Sequence, residues 1–309
     1  MYSNIPEYIQ FFPTFRCNQH CTFCFNRGIS LDKEISNSAF ERIINILLNI
    51  GTNEIDILGG EPTLHIGLTA MVDMACKSGM RITISSNGSN TRLLSSLSET
   101  YRSKGLEIGI SLNTHKLRDE LHDYILTYKP LLKGVCTNKQ LFPKAVRPYL
   151  EVPDITYNLL FLDTPYREDL RNSIPFYKFL KALENLKRKF TNVEGVFCSG
   201  FIPDVKKSPL LQCVRCPAGT TKLSIMPDGS VYPCYLFFRH REFRLGNLFG
   251  DDFKKMWNNP ILDYFRRFEK NPCIHKKCEL SSLCHGGCPA MSLLVYGSLS
   301  APEPRCMAH

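Results

Sequence analysis

With 309 residues, 43% of them hydrophobic and 22% charged, the chain can build one large domain plus an appendage and is too apolar for disorder. No window approaches the roughly eighteen apolar residues of a membrane span, and Met1 to Phe12 lacks the basic and apolar regions of a signal peptide, so neither is expected. The formal charge of +9 counts 14 cysteines as neutral; metal-bound thiolates would offset much of it, so no nucleic-acid footprint is read, and this many cysteines without an export signal point to metal sites in the cytoplasm.

Tyr8 to Phe15 reads as a first strand, and it runs into Cys17-x3-Cys21-x2-Cys24. Three thiolates can hold three irons of a [4Fe–4S] cubane and leave the fourth open to an outside ligand. Half of a zinc site or a thioredoxin-like pair are the other readings of such cysteines, and the three-residue gap suits both poorly. Ser38-Ala39-Phe40-Glu41 has the form of a capping box. Behind it, Phe40, Ile43, Ile44, Leu47 and Leu48 fall on one helical face that stops at Gly51. Glu54 to Leu58 reads as a buried strand ending in Gly59-Gly60-Glu61-Pro62. Glycines there let the backbone approach a ligand, and the carboxylate that follows can accept hydrogen bonds from an ammonium group.

A helix is expected from Ile66 to Ser78, a strand over Arg81 to Ser86, and a helix over Thr91 to Arg102. Strands follow at Leu106 to Leu112, Leu131 to Thr137 and Ile155 to Leu162. A helix begins near Pro175, with Phe179, Leu183, Leu186 and Phe190 on one face. Repeated β/α units predict a parallel sheet with helices outside, a partial TIM-like (β/α)6 barrel over residues 1–205, its functional groups at the C-terminal ends of the strands. Residues 206–309 read as a small cysteine-rich domain containing a hairpin, Lys222 to Met226 and Ser230 to Cys234, turned at Pro227-Asp228-Gly229. Cys76, Cys136 and Cys198 sit in apolar runs and read as small core residues; Trp257 with Ile261, Leu262 and Phe265 reads as helical core. The basic runs Lys187-Arg188-Lys189 and Arg239-His240-Arg241 read as solvated faces.

The three cysteines with Phe23 before the last, followed by Gly59-Gly60-Glu61-Pro62 directly after a strand, resemble the radical S-adenosylmethionine (SAM) superfamily. Cys216-x12-Gly229-x4-Cys234, then Cys278-x5-Cys284-x3-Cys288 and Cys306, resemble the auxiliary iron–sulfur SPASM domain. The first resemblance implies a cubane with an open iron held by Cys17, Cys21 and Cys24, with SAM contacted by Phe23, Gly59, Gly60, Glu61, Pro62, Ser86, Asn87, Ser111 and Asn113. The family often has an aspartate where Asn113 stands, and H-D-x-x-R, where this chain has His122-Asp123 but Leu126 in place of the arginine. How the SAM carboxylate is neutralised is left open by that departure. The second resemblance implies two auxiliary [4Fe–4S] clusters, one on Cys213, Cys216, Cys234 and Cys288, the other on Cys273, Cys278, Cys284 and Cys306, with His275 an alternative to Cys273. A pair of zinc sites is the other reading of that region.

Together the resemblances imply an oxidoreductase that cleaves SAM reductively to a 5′-deoxyadenosyl radical and takes a hydrogen atom from a peptide or protein, drawing on an external one-electron reductant of flavodoxin or ferredoxin type. Tyr235 follows Cys234 where sulfatase maturases carry an aspartate base, which argues against formylglycine formation. The barrel is expected to start by residue 8, so a peptide substrate would need a separate carrier protein or direct binding by the barrel. An enzyme acting on a tetrapyrrole or another small molecule is the runner-up, and a non-catalytic iron–sulfur electron carrier the remote rival. No catalytic acid or base is assigned.

Overall fold

A computed structural model describes residues 5–29, 34–113, 117–196, 216–266 and 287–304. Of the positions named above, Cys198, Cys213, Cys273, His275, Cys278, Cys284 and Cys306 lie outside the described residues.

Strand residues alternate between two environments, and this alternation builds the architecture. In β1 (Tyr8–Phe11) and β2 (Glu54–Ile57), Ile9, Phe11, Ile55 and Ile57 are fully buried, while Gln10 and Asp56 keep part of their surface. The buried set packs on helices: the Phe11 ring lies 5.3 Å from Phe40 of α1 (Asn37–Asn49), whose Phe40, Ile43, Ile44 and Leu47 form one apolar stripe. The pattern continues through β3 (Arg81–Ser86), β4 (Leu106–Ser111), β5 (Leu131–Cys136) and β6 (Tyr157–Phe161). Between them run α2 (Leu68–Lys77), α3 (Thr91–Tyr101) and α4 (Asp119–Tyr128), and α5 (Phe176–Lys187) follows β6. All these strands pair in parallel, in chain order. Tyr166, beyond β6, reaches back to Arg27, beyond β1, so the sheet curls into a partial barrel with a polar lumen.

Four features depart from the sequence reading. The cap of α1 is Ser36, whose hydroxyl accepts from Ala39 N at 3.1 Å, two positions before the expected Ser38. The β5–β6 connection is a 3-10 turn, Lys144–Tyr149, with Pro148 inside it, where a proline-free segment would be needed for an α-helix. A seventh parallel strand, β7 (Val193–Val196), follows α5; Gly195 packs there against Leu183, whose Cδ2 would lie 2.2 Å from a Cβ and would have to shift to admit one. Finally, β8 (Lys222–Ile225) pairs in parallel with the other edge of β1, and β9 (Ser230–Tyr232) and β10 (Gly246–Asn247) extend it antiparallel. The barrel and the hairpin therefore share one ten-stranded sheet. The expected hairpin turn is present, with Gly229 at φ +80° and Asp228 Oδ1 accepting from Ser230 N. Among the described residues no helix is long and apolar enough to cross a membrane.

Candidate active site

The chain leaves β1 at Phe12-Pro13 and forms a series of turns carrying Cys17, Cys21 and Cys24, all partly exposed, with Phe23 half-buried beside them. Beneath lies the loop that follows β2. Gly60 N donates to Thr14 O at 2.9 Å and Glu61 N to Arg16 O at 2.7 Å. The two glycines are needed for this contact. A Cβ on Gly59 would fall 2.5 Å from Thr14 O, and one on Gly60 would fall 2.0 Å from Arg16 O. The close approach expected of these glycines is thus made to the backbone of the cysteine loop. Asn26 fastens the loop's far side, its Nδ2 donating to Gly59 O at 2.5 Å.

Glu61 is 1% exposed, and its carboxylate is filled by protein donors. Oε1 accepts from Thr63 N at 3.1 Å, Thr63 Oγ1 at 2.7 Å and Ser86 Oγ at 2.8 Å; Oε2 accepts from Asn87 N at 2.7 Å. Pro62 opens the 3-10 turn that Glu61 caps. The side chain therefore ties the β2 loop to the end of β3. Asn87 carries the link to the cysteines: its Nδ2 donates to Asn18 Oδ1 at 2.9 Å and lies 4.0 Å from Cys17 Sγ. Ser111 lines the lumen in register with Lys133, and Asn113 Oδ1 accepts from Val135 N at 2.9 Å, extending the β4–β5 ladder. The fold therefore brings Cys17, Gly59, Gly60, Glu61, Ser86 and Asn87 together, with Ser111 and Asn113 one strand further along.

His122 lies within α4 and bonds Tyr149 Oη at 2.8 Å, so it serves the packing of that helix. Sequence reading missed Arg118. It precedes α4, is exposed, and its Nη2 donates to Gly88 O at 2.6 Å, just past Ser86-Asn87. A basic residue immediately before a helix at a strand's C-terminal end was the available signal. Lower in the lumen, Lys133 Nζ reaches over Gly109 to Ser85 Oγ at 2.7 Å. Any side chain at 109 would block that path, since a Cβ would stand 2.6 Å from Lys133 Cε. Burial pushes the Asp56 carboxyl up, against the charges of Lys133 and Lys222, although the side chain keeps accessible surface facing the lumen.

The donor set fits an iron–sulfur cluster. Burial first, and then the charges of Cys24 and Cys17, push the Cys21 thiol up; burial and Cys17 do the same to Cys24. Three such thiolates need a positive partner. Among the described residues no three His, Cys, Asp or Glu side chains converge as a single ion requires. A cubane asks for one thiolate per iron. In the C-terminal region Cys216, Cys234 and Cys288 are buried; Cys216 precedes β8, Cys234 ends the hairpin, and Cys288 caps the helix Pro289–Tyr296, its N–H donating to Glu303 Oε2 at 2.7 Å. Burial raises the Cys234 thiol, with Lys222 opposing. Cys136 is buried as expected, whereas Cys76 is only partly buried at the core's edge.

A parallel α/β partial barrel with a three-cysteine loop over the ends of its first strands, joined to a cysteine-bearing hairpin, defines a class of iron–sulfur enzyme. Residues 11–135 match the model of the radical SAM superfamily and residues 216–289 that of the iron-sulfur cluster-binding SPASM domain, the pair of domains that makes up a radical SAM enzyme with a C-terminal SPASM domain. It accordingly binds [4Fe–4S] clusters and SAM. It is 27% identical to the antilisterial bacteriocin subtilosin biosynthesis protein AlbA of Bacillus subtilis, across 92% of this chain and 67% of that one. It is 23% identical to the PqqA peptide cyclase of Bradyrhizobium diazoefficiens, across 95% and 84%. Its fold matches the crystal structure of Streptococcus suis SuiB bound to the precursor peptide SuiA with a TM-score of 0.76 at 19% identity, across 99% of this chain and 77% of SuiB.

Proposed function

We propose that the chain is a radical SAM maturase that takes a hydrogen atom from a peptide or protein substrate. The observation that carries this reading is the union of the cysteine loop with the Gly59 to Pro62 loop packed directly beneath it, in a chain matching AlbA and the PqqA peptide cyclase over nine-tenths or more of its length. The fold of SuiB takes a precursor peptide. In this reading Cys17, Cys21 and Cys24 each ligate one iron. When bound, cluster and SAM supply a one-electron cleavage of the S–C5′ bond that yields a 5′-deoxyadenosyl radical.

The chain's own residues bind and orient. The loop Gly59 to Pro62 and Asn87 face the SAM methionine moiety, Ser111 and Asn113 lie along the same rim, and Phe23 shields the cysteines. Arg118 supplies the charge for the SAM carboxylate that Leu126 does not, answering the departure from the family pattern. Cys213, Cys216, Cys234 and Cys288 would hold one auxiliary cluster, and Cys273, Cys278, Cys284 and Cys306 the other, placing radical generation in residues 1–205 and electron acceptance in 206–309. A flavodoxin- or ferredoxin-type reductant would supply the electron, and a leader peptide would be presented by a separate carrier protein or bound directly by the barrel.

Anaerobic reconstitution tests this. Wild type should hold about twelve irons and release deoxyadenosine with dithionite and SAM, while the Cys17/Cys21/Cys24→Ala variant should hold about eight and release none. About four irons together with zinc in the wild type would make the C-terminal region a zinc module and remove the auxiliary clusters from the scheme.

A further inference from the structure

One side-chain assembly reaches the cysteine loop from two distant parts of the chain. Arg27 follows Cys24 by three residues. Its N–H donates to Cys24 O at 3.3 Å, and its Nη1 donates to Thr22 O at 3.4 Å, so Arg27 closes the turn on which Cys24 sits from both sides. The guanidinium pairs with Glu168 at 3.2 Å and with Asp169 at 3.0 Å, the latter 2% exposed. Tyr166 stacks between two cations, its ring centroid 4.4 Å from Arg27 Cζ and 4.7 Å from Arg239 Cζ. Arg239 Nη2 donates to Tyr166 Oη at 2.6 Å, and both Tyr166 Oη and Arg239 Nη2 donate to the Arg27 carbonyl. Gly28, at φ +68°, leaves room for this, since a Cβ there would lie 3.1 Å from Arg239 Nη2. Arg239 is exposed, as expected of a solvated basic face, and it also belongs to this clamp. Glu168 and Asp169, paired with Arg27, offset the repulsion between the two guanidiniums that share the Tyr166 ring.

We propose that Tyr166 and Arg239 are positioning residues for the N-terminal cluster: by fixing both ends of Arg27 they hold the Cys21–Cys24 turn in its ligating form. The segment after Cys234 thereby governs how firmly the SAM-binding cluster is retained. The inference rests on the reading of Cys17, Cys21 and Cys24 as cluster ligands.

The test is the rate at which anaerobically reconstituted full-length protein loses iron to a ferrous chelator, with the phase absent from the Cys17/Cys21/Cys24→Ala variant assigned to the N-terminal cluster. Arg239→Met and Tyr166→Leu should speed that phase about tenfold or more, and Tyr166→Phe, which keeps the stacked ring, by only a few-fold. The remaining phases should keep the wild-type rate, and the spectrum of the reduced N-terminal cluster should change on SAM addition less sharply than in wild type. Wild-type rates in all three variants, with unchanged circular dichroism, would overturn the clamp and leave the ligand assignment standing. A wild type without any triad-dependent phase would overturn the assignment, and the clamp with it. Should Arg239→Met fold poorly, Tyr166→Phe against Tyr166→Leu decides alone.

Discussion

The two sets of described cysteines live in opposite environments. Cys17, Cys21 and Cys24 keep partial exposure on a loop held mainly by backbone hydrogen bonds and a few polar side chains. Cys216, Cys234 and Cys288 are 7%, 4% and 3% exposed, in the segments before β8 and after β9 and at the start of a helix. A loop whose cluster must admit a molecule the size of SAM cannot be packed over with apolar side chains. Its rigidity therefore comes from close backbone contact, which is why Gly59 and Gly60 stand directly beneath it. A site that only exchanges electrons gains from enclosure, which lowers solvent access and reorganisation.

The largest effect should separate the two regions outright. Cys234→Ala and the triple alanine variant should each lose about four irons of about twelve. Deoxyadenosine release driven by dithionite should vanish only in the triple variant and stay within a few-fold of wild type in Cys234→Ala. A Cys234→Ala protein that binds its N-terminal cluster yet cleaves no SAM would show that the regions do not act separately. Iron analysis with chromatographic quantification of deoxyadenosine reads both outcomes.

A smaller effect probes the open side of the comparison. Loss of one charge-assisted contact to a carboxylate is worth about 1.5–3 kcal/mol, so Arg118→Gln should weaken SAM binding roughly 10- to 100-fold. Decarboxylated SAM should bind both proteins alike, because it lacks the group Arg118 meets. Equilibrium dialysis with the reconstituted protein measures both. Equal losses for the two ligands would mean that the substitution disturbs the rim instead of removing a partner.

Much of this was legible in sequence, for a physical reason. The strands and helices of the barrel announce themselves through periodic apolar residues, since Ile55 and Ile57, or Phe40, Ile44 and Leu47, must all reach one dry layer. The cysteine loop and Gly59 to Pro62 are legible because both are local motifs. What stayed hidden is what depends on pairing at long range. β7 is four residues, Val-Glu-Gly-Val, with too little pattern to stand out, and it is defined by its pairing with β6. No local signal marks β8 as a partner of β1, Arg239 as a partner of Arg27, or Glu61 as the hub for Ser86 and Asn87. His122-Asp123, the partial match that lacks the arginine, lies on α4, where His122 bonds Tyr149.

The smallest effect tests whether burial alone sets the character of a cysteine here. Cys136 has no accessible surface, and burial pushes its thiol up to about 12. At pH 8 only about one molecule in ten thousand would carry the thiolate, so iodoacetamide should spare Cys136 in cluster-free protein while it alkylates Cys17, Cys21 and Cys24. Cys21 and Cys24 should react more slowly than a free thiol, because both are also raised by burial and by their neighbours. The stability consequence has a definite sign. A thiol raised in the folded state holds its proton more tightly there than in the unfolded chain. Its contribution is full below the unfolded value near 8.5 and is lost as pH climbs toward the folded value of about 12. Cys136→Ala should therefore melt at a lower temperature than wild type at pH 7, from the cavity, yet lose less further stability between pH 9 and pH 11. Parallel losses in the two proteins over that range would place the alkaline sensitivity elsewhere, in the raised thiols of the open loop.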